Sequence, residues 1–454
     1  MRIVIVGAGE VGFYIAKRLA LENKEVVVID KNPAAIKRMS DNLDVNVLVG
    51  SGGSPAVLEE AGLKEAEILL AVTDSDEANL VACLVANIIS PTTKKLARIR
   101  NSDYDNYHSK FLENAPYIDT VINPEIEVVK TIDRLMKVPG AVDVGEFADG
   151  RVNFVGIKLN NNSDITGIKL INLQSKEGKL KPLIAAIVRN DEMIIPRGDD
   201  TFMQGDLVYF ISEKDKLEST LSFFGQEVYP LKRVMIIGGG RVGVRLANLL
   251  EKQSIATKII EKDSKRCAYL ADCMNKTVIL LGDGSDQSLL LEENISDVDV
   301  TVTLTSEDET NILVSLLAKK FGAKNAITKV SKFTYLPLVS SIGLGQVVST
   351  RLSAIDTILQ HVRKGKVFSA ISVNDEAAEV IEAEALETSG IVGKPLRKIS
   401  FPKGAILIGI VSKDKVIIPS GNSVILPGDR VIIFAIRAAV QKLEKMLTVK
   451  LEFF

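Results

Sequence analysis

Gly7, Gly9 and Gly12, in the segment GAGEVG, are spaced to hold a phosphate. The first glycine permits a tight turn. The second lets a pyrophosphate approach the backbone, and the third lets the next helix pack on the preceding strand. Glu10 and Val11 complete the loop. A helix opening there offers free N–H groups and a partial positive charge to an anion. Asp30 follows roughly 20 residues further on, at the end of the next strand, where ribose hydroxyls are gripped. A carboxylate there accepts from a 2′-hydroxyl and repels a 2′-phosphate. The pattern therefore favours NAD or NADH, or plain adenine nucleotides such as ATP or ADP, over NADP(H).

The same pattern occurs a second time. IVIVGAGEVG returns as VMIIGGGRVG, with Gly238, Gly240 and Gly243 as the glycines, Arg241 and Val242 between them, and Glu261 in the place of Asp30. AVTDSDEAN, ending at Asn79, returns as TLTSEDETN, ending at Asn311. Ser51, Thr73, Asp283 and Thr305 follow apolar strand runs, and ligands of open α/β sheets bind at such carboxyl ends. Their other reading is loop solubility and helix capping. Asp76, Glu77 and Asn79 read as cap and first-turn residues, since acids favour helix starts. Arg98 and Arg100 carry planar donors that could reach distal phosphates, or they are ordinary surface charges. Lys329 and Ser331 replace these arginines in the second copy, and Arg241 replaces Glu10, so the two sites should differ in ligand preference.

Catalytic and metal residues are not predicted. A dehydrogenase needs an acid–base residue beside its cofactor. The two histidines, His108 and His361, lie among polar residues on expected helices with no counterpart in the other copy, and read as surface or interface residues. Cys83, Cys267 and Cys273 have neither metal-ligand spacing nor an even disulfide framework, which fits a reduced, cytoplasmic setting. No hydrolase elbow, Walker lysine or HExxH pattern occurs. Lys plus Arg number 56 against 58 for Asp plus Glu, which argues against wholesale nucleic-acid binding. No apolar run reaches the ~18 residues of a membrane span. A soluble chain is expected, with membrane association only through a partner.

The elements that must position these residues also repeat. Ile3 to Val6, Val26 to Ile29, Val45 to Val49 and Ile68 to Val72 are short apolar runs of the kind found in parallel strands covered on both faces. Helical patterns separate them, over Ala34 to Asn42 and from Ser54 to Gly62, the latter with Ser54 as cap and Pro55 at the first turn. Two doubly wound α/β domains of Rossmann type follow, over 1–123 and 231–350. A second unit repeats as IPRGDDTFMQGDLVYF and IPSGNSVILPGDRVIIF, predicting two small α+β domains at 140–224 and 366–450. GQEVYPLKR is the junction of the halves. Helical stretches from Pro124 to Lys137 and from Ser353 to Lys364 bridge large to small domain in each half.

With GAGEVG, Asp30, VTDSDEAN, ARIR at Ala97, LAKKFGAK at Leu317, HVRK at His361 and the twofold domain order, the chain resembles the regulators of Trk potassium-uptake systems. These belong to the RCK or KTN family of cytoplasmic ligand-sensing proteins, and the resemblance spans essentially the full length. It implies a regulatory subunit, not an enzyme, on the inner face of the membrane, bound to a TrkH-like potassium-conducting protein. It also implies a homo-oligomer, a tetramer, whose nucleotide domains form a ring reshaped by NAD(H) or by ATP and ADP. Carried over, the first site is Gly7, Gly9, Gly12 and Asp30, with Ser51 and Thr73 near adenine or ribose and Arg98 or Arg100 near phosphates. The second is Gly238, Gly240, Gly243, Glu261, Asp283 and Thr305. An NAD-dependent oxidoreductase, or a sensing subunit of another cation transporter, are the alternatives.

Overall fold

The computed structural model describes residues 1–101, 104, 117–159, 163, 165–173, 182–362, 366–374, 377–413 and 415–447. His108 lies outside them. The first large domain runs β1 (Arg2–Val6), α1 (Glu10–Leu21), β2 (Glu25–Asp30), α2 (Pro33–Asn42), β3 (Asn46–Val49), α3 (Pro55–Glu60), β4 (Ile68–Ala71), α4 (Asp76–Ile89), β5 (Lys94–Arg98) and β6 (Thr120–Ile122). Counted within each large domain, the six strands of both lie in the order 3-2-1-4-5-6, all parallel. The order reverses between β1 and β4, so the loops that follow these strands flank one crevice. Ile3, Val4, Ile5, Leu69, Leu70 and Ala71 are fully buried, as strands covered on both faces require.

Local sequence sets most helix starts. Asn32 caps α2 by accepting from Ala34 N at 3.0 Å, with Pro33 at the first turn. Ser75 caps α4, its hydroxyl accepting from Ala78 N at 3.1 Å. Ser54 does occupy the cap position of α3 ahead of Pro55, but its side chain makes no capping bond. The sixth strand, absent from the sequence reading, is only three residues long.

The bridging helix α5 (Pro124–Lys137) begins and ends where the sequence places it. The second half repeats the first, with α6 (Arg241–Lys252) after its glycine loop, α7 (Asp308–Lys320) after its fourth strand and α8 (Thr350–Val362) as its bridge. Both small domains are five-stranded antiparallel sheets of one topology, in the order 4-3-5-2-1. Their faces meet through Phe154, which stacks on Tyr209 and Phe434 at ring separations of 5.4 and 6.1 Å.

Two compact units result, Met1–Glu127 with Thr350–Val362, and Val128–Ser349 with Arg363–Phe454. The bridging helices are thus exchanged. α8, from the second half, packs on α1 and β6 of the first large domain. From Val128 onward, α5 buries Val128, Ile132, Leu135 and Met136 in a core shared with Val234, Ile236, Leu246 and Leu250.

Candidate functional site

Gly7 turns the chain out of β1 with φ +115°, a conformation side chains rarely adopt, and a Cβ there would lie 2.9 Å from Thr73 N. A Cβ on Gly12 would lie 1.9 Å from the carbonyl oxygen of Gly7. Both glycines are therefore demanded by the fold. Gly9 is not: it is exposed, and among the described residues an added Cβ would meet nothing within 4 Å. Val11, 7 % exposed, anchors the first turn of α1 in the core, while Glu10 beside it stays half-buried at the loop mouth.

Asp30 ends β2 with its carboxylate directed at the loop. Its Oδ2 accepts from Ala8 N at 2.6 Å and its Oδ1 from Asn32 N at 2.8 Å. The acid that a ribose would meet is thus already oriented by two backbone amides. Ser51, exposed after β3, has a hydroxyl that accepts from Gly53 N at 3.3 Å.

Across the crevice, Asn79 is fully buried and ties the ends of β4 and β5 together. Its Oδ1 accepts from Thr73 N and Thr73 Oγ1 at 2.9 and 2.8 Å, and its Nδ2 donates to Arg98 O at 2.8 Å. It lies in the first turn of α4, as the sequence places it, with its side chain turned inward. Asp76 does open α4, yet it is nearly buried and accepts from Arg100 N and Asn101 N at 3.0 and 2.8 Å. Arg98 donates through Nη2 to Thr73 O at 2.5 Å and Arg100 through Nη2 to Asp74 O. Arg98 Nε is buried and, among the described residues, has no hydrogen-bond partner. Burial, reinforced by neighbouring Arg100, pushes the Arg98 guanidinium down to about 10. An anion in the crevice would relieve both effects.

The second site repeats this frame. Gly238 has φ +105°, a Cβ on Gly243 would lie 2.3 Å from Gly238 O, and one on exposed Gly240 would meet nothing. Val242 is buried and Arg241 exposed. Glu261 does the work of Asp30, accepting from Gly239 N at 2.8 Å and Asp263 N at 3.0 Å. Its extra methylene therefore does not carry it past the loop. Asn311 binds Thr305 N, Thr305 Oγ1 and Lys329 O as Asn79 binds its partners, and Lys329 Nζ donates to Thr305 O at 2.8 Å. Ser331, where Arg100 stands in the first copy, meets Asp308 through its backbone amide at 2.9 Å. Asp283, unlike Ser51, is a carboxylate. Hydrogen bonds from Ser285, hydroxyl and amide, hold it below the usual range.

Three features escape a local reading. Arg351 of α8 reaches Glu10 from far along the chain, and nothing near either residue announces it. Arg266 donates to Gly239 O at 2.7 Å while lying over the Tyr269 ring. Asn79 did leave a signal, namely its recurrence as Asn311. Elsewhere, His361 sits in the last turn of α8, and Cys83 is a core residue whose thiol is pushed up to about 12 by burial. Among the described residues, no group of three or more His, Cys, Asp or Glu side chains could hold a metal ion.

Comparison with known proteins bears on both domain types. The TrkA-N domain family matches residues 3–124 and 234–350, and the TrkA-C domain family matches 154–225 and 380–448. The chain is 38% identical over 458 residues to the Trk system potassium uptake protein TrkA of Azorhizobium caulinodans, covering 100% of each. It is 38% identical over 453 residues to Trk system potassium uptake protein TrkA homolog 1 of Methanosarcina mazei, covering 98% of this chain and 99% of that one. In fold it is similar to the GsuK channel bound to NAD, with a TM-score of 0.58 at 16% identity over 98% of this chain and 78% of that chain.

Proposed function

Since the chain belongs to the TrkA family of Trk potassium-uptake proteins, we propose that it is a nucleotide-responsive regulatory subunit of such a system and not an enzyme. It binds NAD(H) or ATP and ADP at its glycine loops and gates a TrkH-like potassium-conducting membrane protein from the cytoplasmic face. Gly7, Gly9, Gly12, Asp30, Ser51, Thr73, Arg98 and Arg100 form the first site. Gly238, Gly240, Gly243, Glu261, Asp283 and Thr305 form the second. Glu10, Val11, Arg241 and Val242 complete the two loops.

The observation that carries this reading is the open space at Gly9 and Gly240. Among the described residues nothing requires glycine there, whereas a pyrophosphate seated on the amides of a helix start does. The ordered carboxylates of Asp30 and Glu261 supply the ribose contact and disfavour a 2′-phosphate. Among the described residues no helix is long and apolar enough to cross a membrane, so the partner supplies the pore. Val81, Leu84 and Ile88 expose one apolar stripe of α4, with exposures of 47%, 42% and 73%, which fits burial between copies of a tetramer.

Thermal unfolding of the purified protein with NAD, NADH, NADP, ADP and ATP tests the first step. A ligand at a hundredfold excess over its dissociation constant stabilises by about 2.7 kcal/mol. Stabilisation by NAD(H) or by ADP and ATP, with NADP weakest, is expected. Silence across the panel would sink nucleotide sensing, and potassium uptake unchanged in cells lacking the protein would sink the regulatory role.

A further inference from the structure

Glu10, the first residue of α1, sits where the free amides of the helix start attract a phosphate. Two guanidinium groups hold its carboxylate. Arg38 of α2 donates to Oε1 at 2.6 Å while its guanidinium lies 4.4 Å from the centre of the Phe13 ring. Arg351, from the second half's bridging helix α8, approaches Oε2 at 3.4 Å. The pair is neither buried nor short, so it contributes little to static stability. Its position is the informative part, because α8 otherwise joins the first domain through α1 and β6.

The corresponding positions of the other loop and the other bridging helix carry the opposite signs. Arg241 stands at the loop position of Glu10. Counted from the strand before each bridging helix, Glu125 stands at the position of Arg351. The stacked third member is missing there, since Val244 and Tyr269 replace Phe13 and Arg38. Loop and helix charges thus change together, and the helix presents a cation in one register and a carboxylate in the other.

We infer that Arg351 is a positioning residue coupling occupancy of the first nucleotide site to the seating of α8. An anion arriving beside Gly9 repels the Glu10 carboxylate and attracts both guanidinium groups. Arg351 then shares the charge of the phosphates, and α8 is drawn more firmly onto α1. The same factor by which nucleotide tightens the helix must appear in the affinity for nucleotide when the helix is seated. ADP, with its doubly charged terminal phosphate, acts more strongly than NAD, whose pyrophosphate is a diester. The second half's helix thereby responds to a ligand in the first half's site. The inference rests on the proposal that the first loop takes a pyrophosphate.

Backbone hydrogen exchange of α8 in the full-length protein, with and without saturating ADP, tests it. In the wild type ADP should slow α8 exchange by roughly fivefold, and NAD less. Arg351→Gln should bind ADP about fivefold more weakly by calorimetry and lose the slowing. Without ligand, Arg351→Glu should exchange faster at α8, and adding Glu10→Arg, which exchanges the two signs, should restore protection. Full ADP-dependent slowing in Arg351→Gln, or a double variant no better protected than Arg351→Glu, overturns the coupling. ADP binding with α8 unchanged in the wild type refutes this inference alone, whereas no heat of ADP binding refutes the nucleotide site with it.

Discussion

Residues 1–123 and 231–350 fold to one backbone plan and surround it with different charges. The shared part is the seat: two glycines forced by the fold, one left open, an acid bonded to the loop amide, and a buried asparagine tying two strand ends. The rim differs. In the first domain Arg38 and Arg351 hold Glu10, and Arg98 and Arg100 bind the carbonyls of Thr73 and Asp74. In the second, Arg266 binds the loop carbonyl of Gly239, Lys329 replaces Arg98, and Asp283 adds a carboxylate. Even the additional glycine of the second loop, Gly239, has a packing cause, since a Cβ there would lie 2.3 Å from Leu270 Cδ1. An adenosine diphosphate core needs only the seat, so the rim is where the two sites can tell ligands apart.

The largest effect falls on the glycines that the fold demands. Gly12→Ala places its Cβ against backbone, as does Gly243→Ala, and should cost more than about 3 kcal/mol in thermal unfolding. The approach is closer at Gly12, so its variant should suffer more. Equal losses would mean that the two loops relax alike and that the contrast in distance is immaterial. Asn79→Ala and Asn311→Ala come next. Each strands several buried partners at about 1–3 kcal/mol per group left unsatisfied, and the two should match because their bonds match. A large disparity would break the claim of a common seat. Arg98→Lys and Lys329→Arg probe the rim, and each should change ADP affinity by roughly tenfold, in opposite directions. Calorimetry showing no change in either would remove these residues from the ligand.

Much of this was legible in the sequence, for reasons that can be named. The apolar runs of β1, β2 and β4 are continuous because both sheet faces are covered, and α5 begins at a proline suited to a first helical turn. The loops were legible because glycine spacing and a following acid are local. The place of Asn79 in the first turn of α4 is legible from the acids at that helix start, but only the fold shows that its side chain turns inward. The sequence leaves Arg98 and Arg100 open between distal phosphates and ordinary surface charge, and only the fold shows their guanidinium groups on the carbonyls of Thr73 and Asp74. Arg351 had no local signal, for its partner lies in the other half. The strand order of the small domains is set by pairing between distant segments, which no short motif encodes.

The smallest effect separates the two bridging helices by pH. His361 lies in the last turn of α8, and its carbonyl accepts from Lys94 Nζ at 3.2 Å. Burial, and secondarily the charge of Lys94, hold its imidazole below 6.5. Lys94 is itself lowered by burial, against the pull of Asp119. The unfolded histidine therefore takes up a proton near 6.5, before the folded one does. Between those points the unfolded chain binds more protons, so the seating of α8 should be complete above 6.5 and weaken as pH falls below it. Counted from the preceding strand, the matching position in α5 is Leu135, which is 2% exposed and cannot titrate. Hydrogen exchange at about pH 5.5 and about pH 7.5, corrected for the intrinsic rate, should show lost protection in α8 and none in α5, and His361→Leu should abolish the difference. An unaltered pH response in that variant would assign the titration to another group and leave the two helices alike in this respect.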